Sequence, residues 1–270
     1  MKRLFGVVAA VVGCIVLPLG VMAQGISVAP SRVFLEGAPG TTVAQALTFS
    51  NTTEAPFTFR ASIKDWERDS LGRKFYVDPG TFPRSNSGWI TLSASTLTLA
   101  PGETRAVMLT MTVPADAPTQ LTHSMVFFTQ TKAQQAPATD ARQLGVNVLL
   151  ELGVQVYHRP VGLAAGDLDF VAFDDFGTVA GPKGTVHRLG VKIRNSGAIN
   201  KDAHVRFELT DMTTGEELPV TTVPIAMLPD AEQWVFADVS AELKGRYLAV
   251  AILDAGSHYD LKIAEKEITY

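Results

Sequence analysis

The chain has 270 residues, 46% of them hydrophobic, with 23 basic and 27 acidic side chains and a formal net charge of −4. A modest negative charge argues against nucleic-acid binding and against a polybasic membrane patch. The single cysteine, Cys14, excludes an internal disulfide, and beyond the first 23 residues no apolar run reaches the roughly 18 residues of a membrane helix.

Met1 to Ala23 reads as a secretory signal peptide. Lys2 and Arg3 open it, Leu4 to Val21 is apolar, and Val21-Met22-Ala23 places small residues before a cleavage point at Gln24. Val11-Val12-Gly13-Cys14 is a competing lipoprotein-like site, though it would leave a greasy start to the mature chain. Secretion permits disulfides without requiring them, and a mature chain of this length can fold on hydrophobic burial alone.

The mature chain then reads as short strands separated by turns. Ile26 to Leu35 ends at Ala38-Pro39-Gly40, and Thr42 to Ser50 ends at Asn51-Thr52-Thr53. Phe57 to Trp66 carries Phe57, Phe59, Ala61 and Ile63 on one side, the period of two that marks a half-buried strand. Residues 67 to 88 read as a long polar loop with one short strand at Phe75 to Val77. Trp89 to Leu99, Thr104 to Val113 and Thr122 to Gln130 follow, punctuated by Pro101-Gly102 and Pro114. Lys132 to Gln143 has almost no core-forming residues and reads as a mobile loop.

Leu144 to Pro160 is the most informative stretch. Leu144, Val146, Val148, Leu150, Leu152, Val154 and Val156 alternate without a break. That is longer than the usual strand of about 5 to 6 residues. A strand that outruns its own core has apolar surface to offer a partner strand, while the plainer reading is a long, well-buried sandwich strand.

After Pro160, Val161 to Gly166 reads as a hinge or lead-in. Strands are then expected at Leu168 to Phe173, followed by an Asp-Asp-Phe-Gly turn, and at Val186 to Arg194, His204 to Leu209, Val223 to Met227, Gln233 to Val239, Gly245 to Leu253 and Leu261 to Tyr270. No stretch keeps a helical repeat. The fold class predicted is all-β, with two immunoglobulin-like β-sandwich domains at residues 24–160 and 161–270 after the leader at 1–23. A single large jelly roll is the rival.

Val28 to Val33, Leu47 to Thr52 and Val154 to Pro160 together resemble segments of the periplasmic pilus-assembly chaperones, a family of two immunoglobulin-like domains set around a cleft. Val28-Ala29-Pro30-Ser31-Arg32-Val33 is similar to the family's opening strand and Leu47-Thr48-Phe49-Ser50-Asn51-Thr52 to its second. Trp89-Ile90, Leu97 to Arg105 and Val113-Pro114 look like its middle strands. Val154-Gln155-Val156-Tyr157-His158-Arg159-Pro160 resembles the Arg-Pro ending of its last first-domain strand. The resemblance implies a non-enzymatic periplasmic chaperone that holds exported subunits, pilin-like ones included, by β-strand addition, with an outer-membrane assembly protein as a further partner. Leu144, Val146, Val148 and Leu150 would then be the client-strand contacts. Arg32 matches the family's carboxylate-anchoring arginine, but Gln155 stands where the family has its second cation, a lysine. Glutamine donates hydrogen bonds without charge. A divergent chaperone with another exported client is therefore equally compatible. The alternative function is a structural or adhesive component of a cell-envelope assembly.

Catalytic signals are sparse. His123, His158, His187, His204 and His258 have no compact metal spacing, and no G-x-S-x-G elbow or phosphate-binding loop is present. No metal, cofactor or nucleic acid is expected. Asp167, Asp169, Asp174 and Asp175 form the densest acidic cluster, readable as an oxygen-donor Ca²⁺ site or as the wet side of a strand carrying Leu168, Phe170 and Phe173. Asn51-Thr52-Thr53 reads as a glycosylation sequon or a turn. Tyr247, after Gly245-Arg246, is expected to pack at the start of its strand.

Overall fold

Strands of alternating apolar residues must bury one face each, and here they do so as two pairs of facing sheets. The fold is taken from a computed structural model, which describes residues 25–132 and 149–270. The expected leader, and the expected contacts at Leu144, Val146 and Val148, lie outside the described residues.

The first half contains β1 (Ile26–Ala29), β2 (Arg32–Leu35), β3 (Thr42–Asn51), β4 (Phe57–Arg68), β5 (Lys74–Val77), β6 (Ile90–Leu92), β7 (Thr96–Leu99), β8 (Thr104–Thr112), β9 (Thr122–Gln130) and β10 (Glu151–His158). One sheet has the order β1-β3-β8-β6; the facing sheet runs β2-β10-β9-β4-β5, with β7 also on β4. The expected strand Ile26 to Leu35 is therefore two strands. Around Pro30 the chain leaves one sheet for the other, so β1 pairs with β3 and β2 pairs with β10 in parallel. Leu47, Phe49, Phe59, Leu99, Leu109, Met111, Val126, Phe128, Val154 and Val156 fill the space between the sheets. The Phe49 and Phe128 rings meet edge to face at 4.5 Å.

The second half contains β11 (Leu168–Gly181), β12 (Gly184–Asn195), β13 (Lys201–Asp211), β14 (Glu217–Met227), β15 (Glu232–Ser240), β16 (Arg246–Asp254) and β17 (Lys262–Thr269). Sheet β11-β12-β15 faces sheet β14-β13-β16-β17 over Val191, Ile193, Val205, Phe207, Val235, Ala251 and Leu253. Among the described residues no strand of the first half pairs with one of the second, and the fold is two immunoglobulin-like sandwiches rather than one jelly roll. The Asp-Asp-Phe-Gly segment is not a turn. β11 runs through it, and the ladder with β12 slips between Asp175 and Thr178, where Gly177 takes φ 66°. A bulge absorbs the turn-forming residues and lets the strand continue.

Both sandwiches use the same buried asparagine. Asn51 and Asn195 end β3 and β12 with almost no exposure. The Oδ1 of each accepts the N–H two residues on, from Thr53 and Gly197, both at 3.0 Å. The Nδ2 of each donates to the carbonyl four residues on, Ala55 at 2.8 Å and Ile199 at 2.9 Å. A second donation reaches Ala100 at 2.9 Å or Leu228 at 3.0 Å, each just before a Pro-containing turn. With its amide enclosed and hydrogen-bonded on both atoms, Asn51 is the pin of a turn, not an accessible glycan acceptor in the folded chain. Tyr247 plays the strand-start role expected of it, its hydroxyl donating to the Lys244 carbonyl at 3.1 Å.

The halves meet through a small cluster of Trp66, Leu121, Met125 and Tyr157 with Leu228. Arg84 adds polar ties, donating to the Pro229 carbonyl at 3.0 Å and the Asp230 carboxylate at 2.7 Å, and the Trp234 N–H reaches the Ser70 carbonyl at 2.7 Å. Among the described residues no helix is long and apolar enough to cross a membrane.

Candidate functional site

Because side chains alternate along a strand, the sheet β2-β10-β9-β4-β5 has one face on the first core and the other toward the second domain. Even-numbered Val154 and Val156 of β10 are buried in the core, and Leu150 and Leu152 are only partly buried against it. The core thus thins toward the start of β10. Leu149, of opposite parity, is 55% exposed.

The outer edge of β10 is the distinctive feature. On one side β9 pairs with all of Glu151 to His158. On the other, β2 pairs only with Gln155 to His158. The Gln155 N–H donates to the Ser31 carbonyl at 3.0 Å and the Arg159 N–H to Leu35 at 2.8 Å, so odd-numbered residues direct their main-chain groups to that side. Two residues earlier, Gly153 and Glu151 direct theirs the same way, where no described strand meets them. A short row of unpaired donors and acceptors on a sheet edge is a template for an added strand. Gly153 faces Phe127 and Met125 at ordinary to tight contact, 3.3 and 3.4 Å from where a Cβ would stand.

Arg32 and Gln155 are register partners across β2 and β10, so both reach the domain junction from adjacent points. Arg32 forms an ion pair with Asp202 of β13. The Gln155 Oε1 accepts a hydrogen bond from the Tyr157 hydroxyl at 2.8 Å. Burial raises the Tyr157 pKa well above the usual phenol range, so the hydroxyl stays protonated as a donor. That leaves Nε2 of Gln155, with no partner among the described residues, as the amide's available donor. Leu150 sits at the rim of the first core, away from this pair, and Arg159 stacks its guanidinium over Phe34 at 4.8 Å.

The sequence did not reveal the rest of this face. β4 runs to Arg68 and pairs with β5, Trp66 opposite Tyr76 and Arg68 opposite Lys74. Arg68 and Lys74 both lie over the Trp66 ring, at 5.7 and 5.6 Å. Residues 67 to 77 are thus largely a hairpin: the short strand expected at Phe75 to Val77 is β5, and it pairs with the end of β4, which runs two residues into what had been read as loop. The signal was the alternation of Lys64, Trp66 and Arg68, masked because the hairpin's cleft side is cationic and not apolar. Burial lowers the pKa of Arg68 and Lys74, and the neighbouring Arg32 charge lowers both further.

Behind the face, His123 is 2% exposed and donates Nε2–H to the Trp66 carbonyl at 2.9 Å. Its Nε2 also lies 3.7 Å from Glu67, yet burial pushes the imidazole pKa down to about 4, so the contact is not an ion pair at neutral pH. The stability gained by burying neutral His123 is complete above its unfolded value of 6.5 and is lost as the pH falls toward 4. Over that window the unfolded chain takes up a proton that the folded chain refuses. The expected loss by pH 4 is about 3 kcal/mol. Urea denaturation at pH 7 and pH 4 checks it: H123Q should show a shallower pH dependence than the parent chain. An equal slope would mean the ring is protonated in the native state.

The acidic cluster is spread from Asp167, just before β11, along that strand. Lys262 faces Asp169 at 3.3 Å and Asp167 at 3.9 Å, and Lys266 faces Asp174 at 3.5 Å. Among the described residues no three histidine, cysteine or acidic side chains group as a metal site.

The fold and this junction define a two-domain β-sandwich protein with a strand edge, at Glu151 and Gly153, that no described strand covers. Solved structures of similar shape include that of Salmonella enterica SafA pilin in complex with the SafB chaperone, at 15% identity over 92% of this chain and 98% of that one, TM-score 0.46. The Pseudomonas aeruginosa CupB2 chaperone is similar at 15% identity over 89% and 99%, TM-score 0.43. The E. coli chaperone DraB is similar at 15% identity over 91% and 98%, TM-score 0.43. No family model matches the chain, and no curated protein matches it. Likeness this distant leaves function to the chain's own geometry.

Proposed function

We propose that this protein is a periplasmic chaperone that binds exported subunits, pilin-like ones among them, by β-strand addition, and that it acts by binding and not by catalysis. The domains are taken as 24–160 and 161–270. The observation that carries this reading is the edge of β10, where Glu151 and Gly153 direct main-chain groups to a side that β2 does not cover. Leu150 supports it, being half-buried at the rim of a core that ends there. In this reading Leu144, Val146, Val148 and Leu150 supply the alternating side chains of the client contact. Arg32, with the Gln155 amide beside it, holds a client's terminal carboxylate.

Main-chain pairing predicts a direct readout. Complexes are recovered from the periplasm on the tagged chain and the client is identified by mass spectrometry. Amide hydrogen exchange is then measured with and without that client. Glu151 and Gly153 should slow by at least about tenfold on binding, because their N–H groups become ladder donors. Unchanged exchange there, with the client bound, would place the contact elsewhere. Recovery only as a fixed component of a mature surface assembly would support the structural or adhesive alternative.

A further inference from the structure

We propose that Asp202 is a resident stand-in for the client carboxylate: it occupies Arg32 in the free protein and is displaced when a client terminus arrives. This rests on the proposed carboxylate anchoring and adds to it a built-in competitor from the second domain.

The contact is unusual in what surrounds it. Arg32 and Asp202 are 170 residues apart and belong to different sandwiches, so their pairing is a property of the junction and not of either sheet. The Asp202 side chain is 56% exposed and that of Arg32 32% exposed. Such a pair is worth little in water and exchanges readily with another carboxylate. The local charge is also unbalanced. Arg68 shares a small recess at the junction with Asp202, Tyr157 and Asn200. Lys74 stands across the ladder from Arg68. Asp202 pairs with Arg32 and acts on Arg68, while the Arg32 and Arg68 charges also bear on Lys74, so among the described residues three cations gather around the Asp202 contact. The Gln155 Nε2, its orientation set by the Tyr157 hydroxyl, is a neutral donor beside Arg32. A ligand carboxylate gains Arg32 and this amide, while Asp202 returns to solvent. The charge pairing at Arg32 is conserved through the exchange. The cost to affinity is the strength of the contact being replaced.

The probe is a short synthetic peptide of alternating valine and threonine, made with a free terminal carboxylate or with a terminal amide. Binding is followed by fluorescence anisotropy to the full mature chain and to D202N, D202A and R32A, each checked by circular dichroism. D202N and D202A should bind the acid peptide up to about fivefold more tightly than the parent and the amide peptide equally. R32A should bind both peptides alike. If folded D202N and D202A bind the acid peptide no more tightly than the parent, Asp202 is not a competitor, and the anchor reading survives if acid still outbinds amide. If neither peptide binds the parent or any variant, strand capture itself fails and the competitor role falls with it.

Discussion

Replacing Trp66 with alanine is expected to destabilise the first domain by about 3–5 kcal/mol, the usual cost of deleting a large buried aromatic. Trp66 is 1% exposed and is among the largest fully enclosed side chains. It meets His123 edge to face at 5.0 Å and Tyr157 at 6.2 Å, and shares its cluster with Leu228 of the second domain. The hole would therefore open at the junction as well as under β4. Arg68 and Lys74 would lose the ring face on which both cations lie. Trp66→Phe provides the contrast. It keeps most of the volume and removes the indole N–H, which is buried with no partner among the described residues, so it should cost less than about 1.5 kcal/mol. Urea denaturation, with each domain's transition fitted separately, measures both. A Trp66→Ala cost under about 1 kcal/mol would show that the cluster does not hold the junction.

The parts of the fold that could be read from sequence were those in which one face is apolar and the other polar. β3, β4, β8 and the second-domain strands from β12 to β16 show that alternation, because each lines a sandwich core, whereas β9 is buried on both faces. The parts that could not be read obey other constraints. The β4–β5 hairpin buries an aromatic and displays cations on its cleft face, so Arg68 and Lys74 look like solvated loop residues in the sequence. Asp-Asp-Phe-Gly carries turn chemistry, and the ladder accommodates it as a bulge. Asn51 and Asn195 serve equivalent positions in the two halves, but their shared role depends on carbonyls dozens of residues away, at Ala100 and Leu228. The pairing of Arg32 with Gln155 could be expected from the resemblance. Asp202 could not, because nothing local relates β13 to β2.

The double substitution V146D/V148D is expected to weaken client capture by at least about 100-fold, or roughly 3 kcal/mol, while leaving the second domain folded. Val146 and Val148 share the sequence parity of Leu150, Leu152, Val154 and Val156. Along that series burial falls from complete at Val156 and Val154 to partial at Leu152 and Leu150. A strand that serves both its own core and a client should divide the work in this order. A charge placed in the client's groove would be an unpaired carboxylate out of water, which the complex can avoid only by not forming. V154D is the matching control: that side chain is enclosed by the chain's own core, so the first domain should unfold. Circular dichroism and recovery of the client from the periplasm are read together for both variants. If V146D/V148D unfolds the first domain as V154D does, those valines belong to the chain's own core. If the double variant is folded and still captures its client at the parent affinity, β10 and the residues before it are not the strand that the client receives.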